Sequence, residues 1–202
     1  MAAKKASMRR QVPARLLAAA GELFSAQGYH GTSMREIADK ARVLVGSIYN
    51  HFDDKEAIFR AVLRNQRPFG QALDAIADAE GQSAEALLRD AGKRLTATFD
   101  SNPGLLNLLF IDMVEFDGKH LLELYDDDYV SRVEMFARRV ESADGAIRPL
   151  SAESLFHSLL NMVCFAYIVR RRLASAGLGS RTALSDDDFI DIYLHGILQT
   201  DR

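Results

Sequence analysis

Apolar residues recur with the period of an α-helix near the start of the chain. They occupy positions i, i+4, i+7 and i+8 of one helix face, namely Leu16, Ala20, Leu23 and Phe24. The pattern predicts a helix from about residue 13 to residue 27, and Gly28 ends it. Ser33 and Glu36 have the spacing of a capping box, so a second helix is predicted to begin near Ser33.

A break over residues 42–45 separates this second helix from a short third segment, residues 46–52. Ile48 and Phe52 share one face of the third segment, and Asp53 or Asp54 is suited to cap a fourth helix.

The remainder of the chain also has helical periods and no alternating pattern typical of strands. The expected helices lie near residues 69–79, 83–100, 104–116, 119–142, 151–175 and 186–199. The sequence therefore predicts an all-α fold.

Charge is distributed unevenly along the 202 residues, although the net charge is only −3. Residues 1–67 contain 12 Lys and Arg against 6 Asp and Glu, a net charge of +6, and the rest of the chain carries −9. A basic segment joined to an acidic body favours a small module that binds a polyanion. We therefore predict two domains, residues 1–66 with a basic N-terminal arm and residues 67–202.

Several classes of protein are excluded by what the sequence lacks. Cys164 is the single cysteine, so neither a disulfide framework nor a cysteine-based zinc cluster is expected. The longest apolar run, near residues 162–169, is shorter than the roughly 20 residues that cross a bilayer. Motifs of phosphate loops, nucleophile elbows and zinc proteases are missing. We expect a cytoplasmic protein that is not an enzyme, with no membrane partner, no metal and no other cofactor.

Two short helices joined by a turn, within the basic part of the chain, are typical of a helix-turn-helix. A helix fits the major groove of B-DNA, where the base edges differ, and its neighbour supports it. Residues 46–52 would be the recognition helix, with Ile48 and Phe52 packed inward. An RNA-binding or other anion-binding end on a helical small-molecule-binding or enzymatic protein is the alternative interpretation.

The sequence resembles the TetR family of bacterial transcriptional regulators from about residue 14 to residue 63. The resemblance rests on three motifs, Leu17-x-x-Ala20-x-x-Leu23-Phe24-x-x-x-Gly28-Tyr29, Gly31-Thr32-Ser33-Met34-Arg35-Glu36-Ile37-Ala38 and Gly46-Ser47-Ile48-Tyr49-Asn50-His51-Phe52-Asp53-Asp54-Lys55-Glu56. It implies two sets of DNA contacts. The phosphate contacts would come from Ser33, Tyr49, His51 and Lys55. The positions that approach bases would be Arg35, Val45, Gly46, Ser47 and Asn50.

Two positions depart from the family pattern. Arg42 stands where the family usually has Gly, and a left-handed backbone at a non-Gly residue costs roughly 1 to 2 kcal/mol. Leu44 and Val45 stand where a Ser or Thr cap, often followed by Lys, is usual. We expect Arg42 and the basic arm to compensate by contacting phosphates, so that Arg42 joins the DNA-binding set.

The family resemblance also implies a larger helical domain that forms a homodimer through its last two long helices and holds a small-molecule effector. Residues 151–175 are apolar nearly all round, which predicts burial on most sides. His157, Asn161 and Cys164 form one stripe of this helix, and either a ligand pocket or a core or dimer seam accounts for them. The full set of candidate ligand-binding residues is Phe99, Leu106, Phe110, Met113, Phe116, Tyr125, Tyr129, His157, Asn161, Cys164 and Phe165.

These observations lead to one expected function. The chain is expected to be a ligand-responsive regulator, a repressor released from a palindromic DNA operator by a small, apolar effector. A dimeric regulator that responds to a protein partner instead of a small molecule is a further alternative.

Overall fold

A computed structural model describes residues 2–145, 147–178 and 185–197, of which the side chains of residues 2–11, 69 and 186 are not described. Helices make up the regular structure within these ranges, together with an isolated parallel bridge between Ser83 and Asp144. The all-α prediction is confirmed. The helices are α1 (Ala2–Gln27), α2 (Met34–Ala41), α3 (Val45–Ile48), α4 (Lys55–Gln66), α5 (Pro68–Ala77), α6 (Ala84–Ser101), α7 (Gly104–Glu115), α8 (Lys119–Leu122), α9 (Asp127–Glu141), α10 (Ala152–Ser175) and α11 (Asp186–Ile197).

The chain divides into two compact units. The first contains Met1–Pro68 and Pro103–Leu124, and the second contains Phe69–Asn102 and Tyr125–Arg202. The α7–α8 segment therefore packs with the N-terminal helices, although it lies far along the chain. The functional division into residues 1–66 and 67–202 stays a prediction.

Two predicted helix boundaries were wrong. The first helix begins at Ala2 instead of residue 13 and contains Pro13, because the residues before Pro13 include many good helix formers, Ala, Lys, Arg and Met. The helix expected over residues 119–142 is divided into α8 and α9. Asp126 starts the second piece, since its side chain accepts a hydrogen bond from the Tyr129 amide at 2.9 Å.

In the first unit, α1 packs against α2, α4 and α7. The contact between α1 and α4 includes the Phe24 and Phe59 rings, which meet edge to face with their centroids 5.3 Å apart. Phe116 stacks on Phe59 at 5.3 Å, so the end of α7 is packed on the same aromatic core. Helix α1 thus connects this aromatic core with α2, the first helix of the helix-turn-helix.

In the second unit, α10 packs against α6, α9 and α11. By length and composition alone α10 could cross a membrane, which the shorter uninterrupted apolar run did not suggest. Its packing against three helices is typical of a core helix. Gly92 of α6 permits the close approach of α11, since a Cβ there would lie 2.8 Å from Cδ1 of Ile190.

Candidate nucleic-acid interface

The N-terminus of α2 is closed by the predicted capping box. The Ser33 hydroxyl oxygen accepts from the Glu36 amide at 3.2 Å, and the Ser33 amide donates to Glu36 Oε2 at 2.8 Å. The bonds from Ser33, with one from Gln27, lower the pKa of the Glu36 carboxyl. The Ser33 hydroxyl also donates to Glu36 Oε2 at 2.7 Å, so a phosphate contact from this hydroxyl would have to replace that bond.

The turn after α2 depends on one residue in a left-handed conformation. Arg42 is the C-cap of α2, with φ 57° and ψ 51°, and its amide donates back to carbonyls of α2. The left-handed backbone anticipated at this position is therefore present, on a residue with a Cβ. The Arg42 side chain is exposed and, with Arg15 and Lys40, lines a surface groove between α1 and the end of α2.

The segment predicted as the recognition helix is shorter than expected. Regular helix covers Val45–Ile48, and residues 49–51 continue as turns in which the amides of His51 and Phe52 donate to the Ile48 carbonyl. The Ile48 side chain is fully buried, which fixes the inward face. Of the predicted contact residues, Gly46, Tyr49, Asn50 and His51 are exposed, and Val45 and Ser47 are partly so.

Lys55 is engaged inside the unit. Its ammonium donates to the carbonyls of Tyr29 and Thr32, each at 2.8 Å, and lies 4.2 Å from the centre of the Tyr29 ring. Two of the three donors of the ammonium are thus used by backbone carbonyls. In contrast, Arg35 extends into solvent, with an 86% exposed side chain that pairs with Asp39 only at 3.9 Å.

Three of the candidate ligand-binding residues come together in the second unit. The hydroxyls of Tyr129 and Tyr125 lie 2.9 and 3.3 Å from Nε2 of His157. Tyr129 is buried, and burial raises the pKa of its hydroxyl far above the ordinary value. The cluster offers polar groups beside aromatic surface, the combination typical of a site for a small molecule.

The other candidates in the second unit have different surroundings. Phe99 is buried, and its carbonyl accepts a hydrogen bond from the Tyr167 hydroxyl at 3.0 Å. Asn161 and Phe165 are exposed on α10, Phe165 by 68%. Burial raises the pKa of the Cys164 thiol to about 12. A small cavity between α6, α10 and α11 is lined by none of these candidates; its lining is Thr96, Met162, Val163, Ala166, Phe189 and Ile190.

The remaining four candidates belong to the first unit. Leu106 is buried, and Phe116 packs in the aromatic core with Tyr29 and Phe59. Phe110 and Met113 are 42% and 59% exposed on α7. Helical periodicity could not separate these environments, because an apolar residue lines a pocket, a core or a surface patch with the same spacing.

Sequence reasoning missed two features of the first unit. The first is a buried pair on α7 and α8, in which Nδ1 of His120 lies 2.6 Å from Oδ1 of Asp112. The sequence holds no signal for this pair. The second is the exposure of Leu44, by 80%, at the start of α3. This exposure could have been predicted from the sequence, because Leu44 stands at a position where a polar residue usually caps a helix.

Comparisons with known proteins agree with this geometry. The family model for bacterial regulatory proteins of the tetR family matches residues 16–62, which include α2, the turn and α3. This segment of the chain is therefore similar to the DNA-binding segment of TetR-family regulators. The transcriptional activator FasR from Mycolicibacterium smegmatis is 31% identical over 123 residues, 61% of this chain and 49% of FasR. The transcriptional repressor KstR2 from Rhodococcus jostii is 47% identical over 49 residues, 24% of each chain.

The matched segments thus span half or less of these TetR-family relatives. Solved structures extend the likeness in fold to nearly the whole chain. A tetR-family protein from Shewanella sp. PV-4 has a TM-score of 0.67 at 16% identity and covers 94% of this chain and 99% of its own. A TetR-family protein from Marinobacter aquaeolei VT8 has a TM-score of 0.58 at 17% identity and covers 99% and 100%.

Proposed function

We propose that this chain is a regulator of the TetR family, dimeric and ligand-responsive, that binds a palindromic operator in double-stranded DNA. The observation that carries the proposal is the α2–turn–α3 segment, whose inward face is fixed by the buried Ile48 while Tyr49, Asn50 and His51 remain exposed. This arrangement allows α3 to enter a major groove while hydroxyl, amide and imidazole groups meet phosphates and bases.

Repression is the proposed mode of action, since a protein seated on promoter DNA excludes polymerase without needing a further activating surface. FasR is named an activator and KstR2 a repressor, so both activation and repression occur among the relatives. The chain contains no motif of a known catalytic class, and we propose a non-enzymatic protein of the cytoplasm.

A homodimer would place two copies of α3 in successive major grooves, about one helical turn or a multiple apart. We propose that α10 and α11 form the interface. Phe165 on α10 is 68% exposed and Ile192 on α11 is 60% exposed, and both would be covered by a twofold partner.

The proposed effector is a small, apolar molecule. The aromatic and imidazole groups of Tyr125, Tyr129 and His157 support this choice, since they offer apolar faces and a few polar contacts. An effector that prefers the conformation with mis-spaced recognition helices would lower DNA affinity by its difference in affinity for the two states.

Operator binding tests the proposal directly. Fragments of the source genome bound by the protein are selected, sequenced and then measured as labelled duplexes by fluorescence anisotropy. We expect a palindromic sequence, bound more tightly than random duplex or RNA. Binding should be lost in Asn50→Ala/His51→Ala and weakened in Tyr49→Phe, which removes one hydroxyl and keeps the ring.

Equal affinity for every duplex or for RNA would contradict an operator-binding function and favour an anion-binding end on another kind of helical protein. A reporter gene placed behind the selected operator tests whether the protein represses or activates transcription. Expression that rises when the protein is present would contradict repression.

A further inference from the structure

The start of α3 exposes an apolar side chain where DNA contacts are proposed. Leu44 is the N-cap residue of α3, in an extended conformation with φ −74° and ψ 143°, and its side chain makes no capping hydrogen bond. That side chain is 80% exposed, and the next residue, Val45, is 37% exposed. The Leu44 side chain therefore contributes little to the core of the first unit, whereas Val45 is partly covered.

The exposed residues that follow Leu44 and Val45 in the chain are polar or small. Gly46, Asn50 and His51 are exposed, and Gly46 has open space around it. The cation of Arg42 flanks the same turn. A leucine here would enter the groove together with groups suited to phosphates and base edges.

The major groove offers such a side chain one matching feature. Base edges there present hydrogen-bond donors and acceptors, and the apolar exception is the C5-methyl group of thymine. A leucine against any other base edge would take polar atoms away from water without pairing them, which is unfavourable.

We propose that Leu44, assisted by Val45, selects thymine in each operator half-site by packing against its C5-methyl group. The proposal rests on the operator-binding function proposed above. It makes Leu44 a specificity-determining residue and leaves neighbouring base pairs to polar groups such as Asn50.

Replacing thymine by deoxyuridine tests the proposal, because this change removes the methyl group and leaves the pairing edge intact. Each thymine of the selected operator is replaced in turn, and the dissociation constant is measured by fluorescence anisotropy. We expect one position per half-site at which the wild-type protein binds about fourfold more weakly, as follows from removing one buried methyl group.

The Leu44→Ala variant tests the same contact from the protein. This variant should bind the thymine operator more weakly and should no longer distinguish thymine from deoxyuridine at that position. Leu122→Ala is the matched control, since Leu122 is 66% exposed on α8 of the same unit and should leave the discrimination unchanged. Circular dichroism checks that both variants fold. If Leu44→Ala does not fold, the deoxyuridine measurement on the wild-type protein still tests the methyl contact.

The results separate this inference from the proposed function. Specific operator binding that is insensitive to deoxyuridine at every position, or equally sensitive in Leu44→Ala, would overturn the role of Leu44 and leave the regulator intact. A protein without any sequence-specific duplex binding would overturn both.

Discussion

Nδ1 of His120 lies 2.6 Å from Oδ1 of Asp112, and both side chains are buried. The second oxygen of Asp112 accepts from the Leu121 amide at 2.9 Å. On its other side the imidazole reaches outward, with Nε2 3.2 Å from Oε1 of Glu56 in the first turn of α4. One chain of hydrogen bonds thus connects the buried end of α7 and α8 with the helix that follows the helix-turn-helix.

Asp112→Ala should destabilise the protein by about 3 kcal/mol, because it leaves the His120 ring and the Leu121 amide without their buried partner. Urea unfolding followed by circular dichroism measures the change. Asp39→Ala is the control, since Asp39 forms an exposed pair with Arg35 at 3.9 Å and should change stability by less than about 0.5 kcal/mol. Similar losses in both variants would show that the buried pair contributes no more than a surface one.

Arg42→Gly should have opposite effects on stability and on DNA binding. Glycine removes the strain of the left-handed backbone, and the free energy of unfolding should rise by about 1 kcal/mol. The loss of one phosphate contact per protomer should lower the slope of log Kd against log salt by about 2 for a dimer.

Arg67→Gly is the matched control for this prediction. Arg67 is the left-handed C-cap of α4, with φ 46°, and lies outside the helix-turn-helix. It should gain similar stability with an unchanged salt slope. If Arg42→Gly also leaves the slope unchanged, Arg42 does not bind phosphate.

The predictions from sequence succeeded where the determining interactions are local. The capping box of Ser33 and Glu36 joins residues three apart, so it could be predicted from their spacing. The left-handed turn at Arg42 was raised by the family resemblance, in which Gly is usual at this position. The break between α8 and α9 was missed because apolar spacing continues across it and the cap, Asp126, is the first of three aspartates.

Pairing across the fold could not be predicted in the same way. Nothing in the spacing of Asp112 and Glu56 indicates that His120 lies between them. Periodicity shows which residues share one face of a helix, but it does not show which other helix packs against that face. The same limit explains why eleven candidate ligand-binding residues are divided between the two units.

Phe165→Glu should weaken dimerisation at least tenfold, since a charge would replace an exposed apolar side chain of the proposed α10–α11 interface. Sedimentation equilibrium measures the dissociation constant. Met135→Glu is the control, because Met135 is 57% exposed on α9 and lies outside the proposed interface. A dimer weakened by Met135→Glu and unaffected by Phe165→Glu would place the interface elsewhere.

The Cys164 thiol should react slowly with a disulfide reagent such as Ellman's reagent. Burial raises its pKa from 9.0 to about 12, so at pH 8 the folded protein has roughly 1,000-fold less thiolate than an unperturbed thiol. The urea-unfolded chain supplies the reference rate. A folded protein labelled as fast as the unfolded chain would show that the thiol is accessible and readily ionised.

The same raised pKa affects stability at high pH. Because only the unfolded state ionises between pH 9 and 12, the free energy of unfolding should fall as pH rises through that range, and Cys164→Ala should remove this part of the decline.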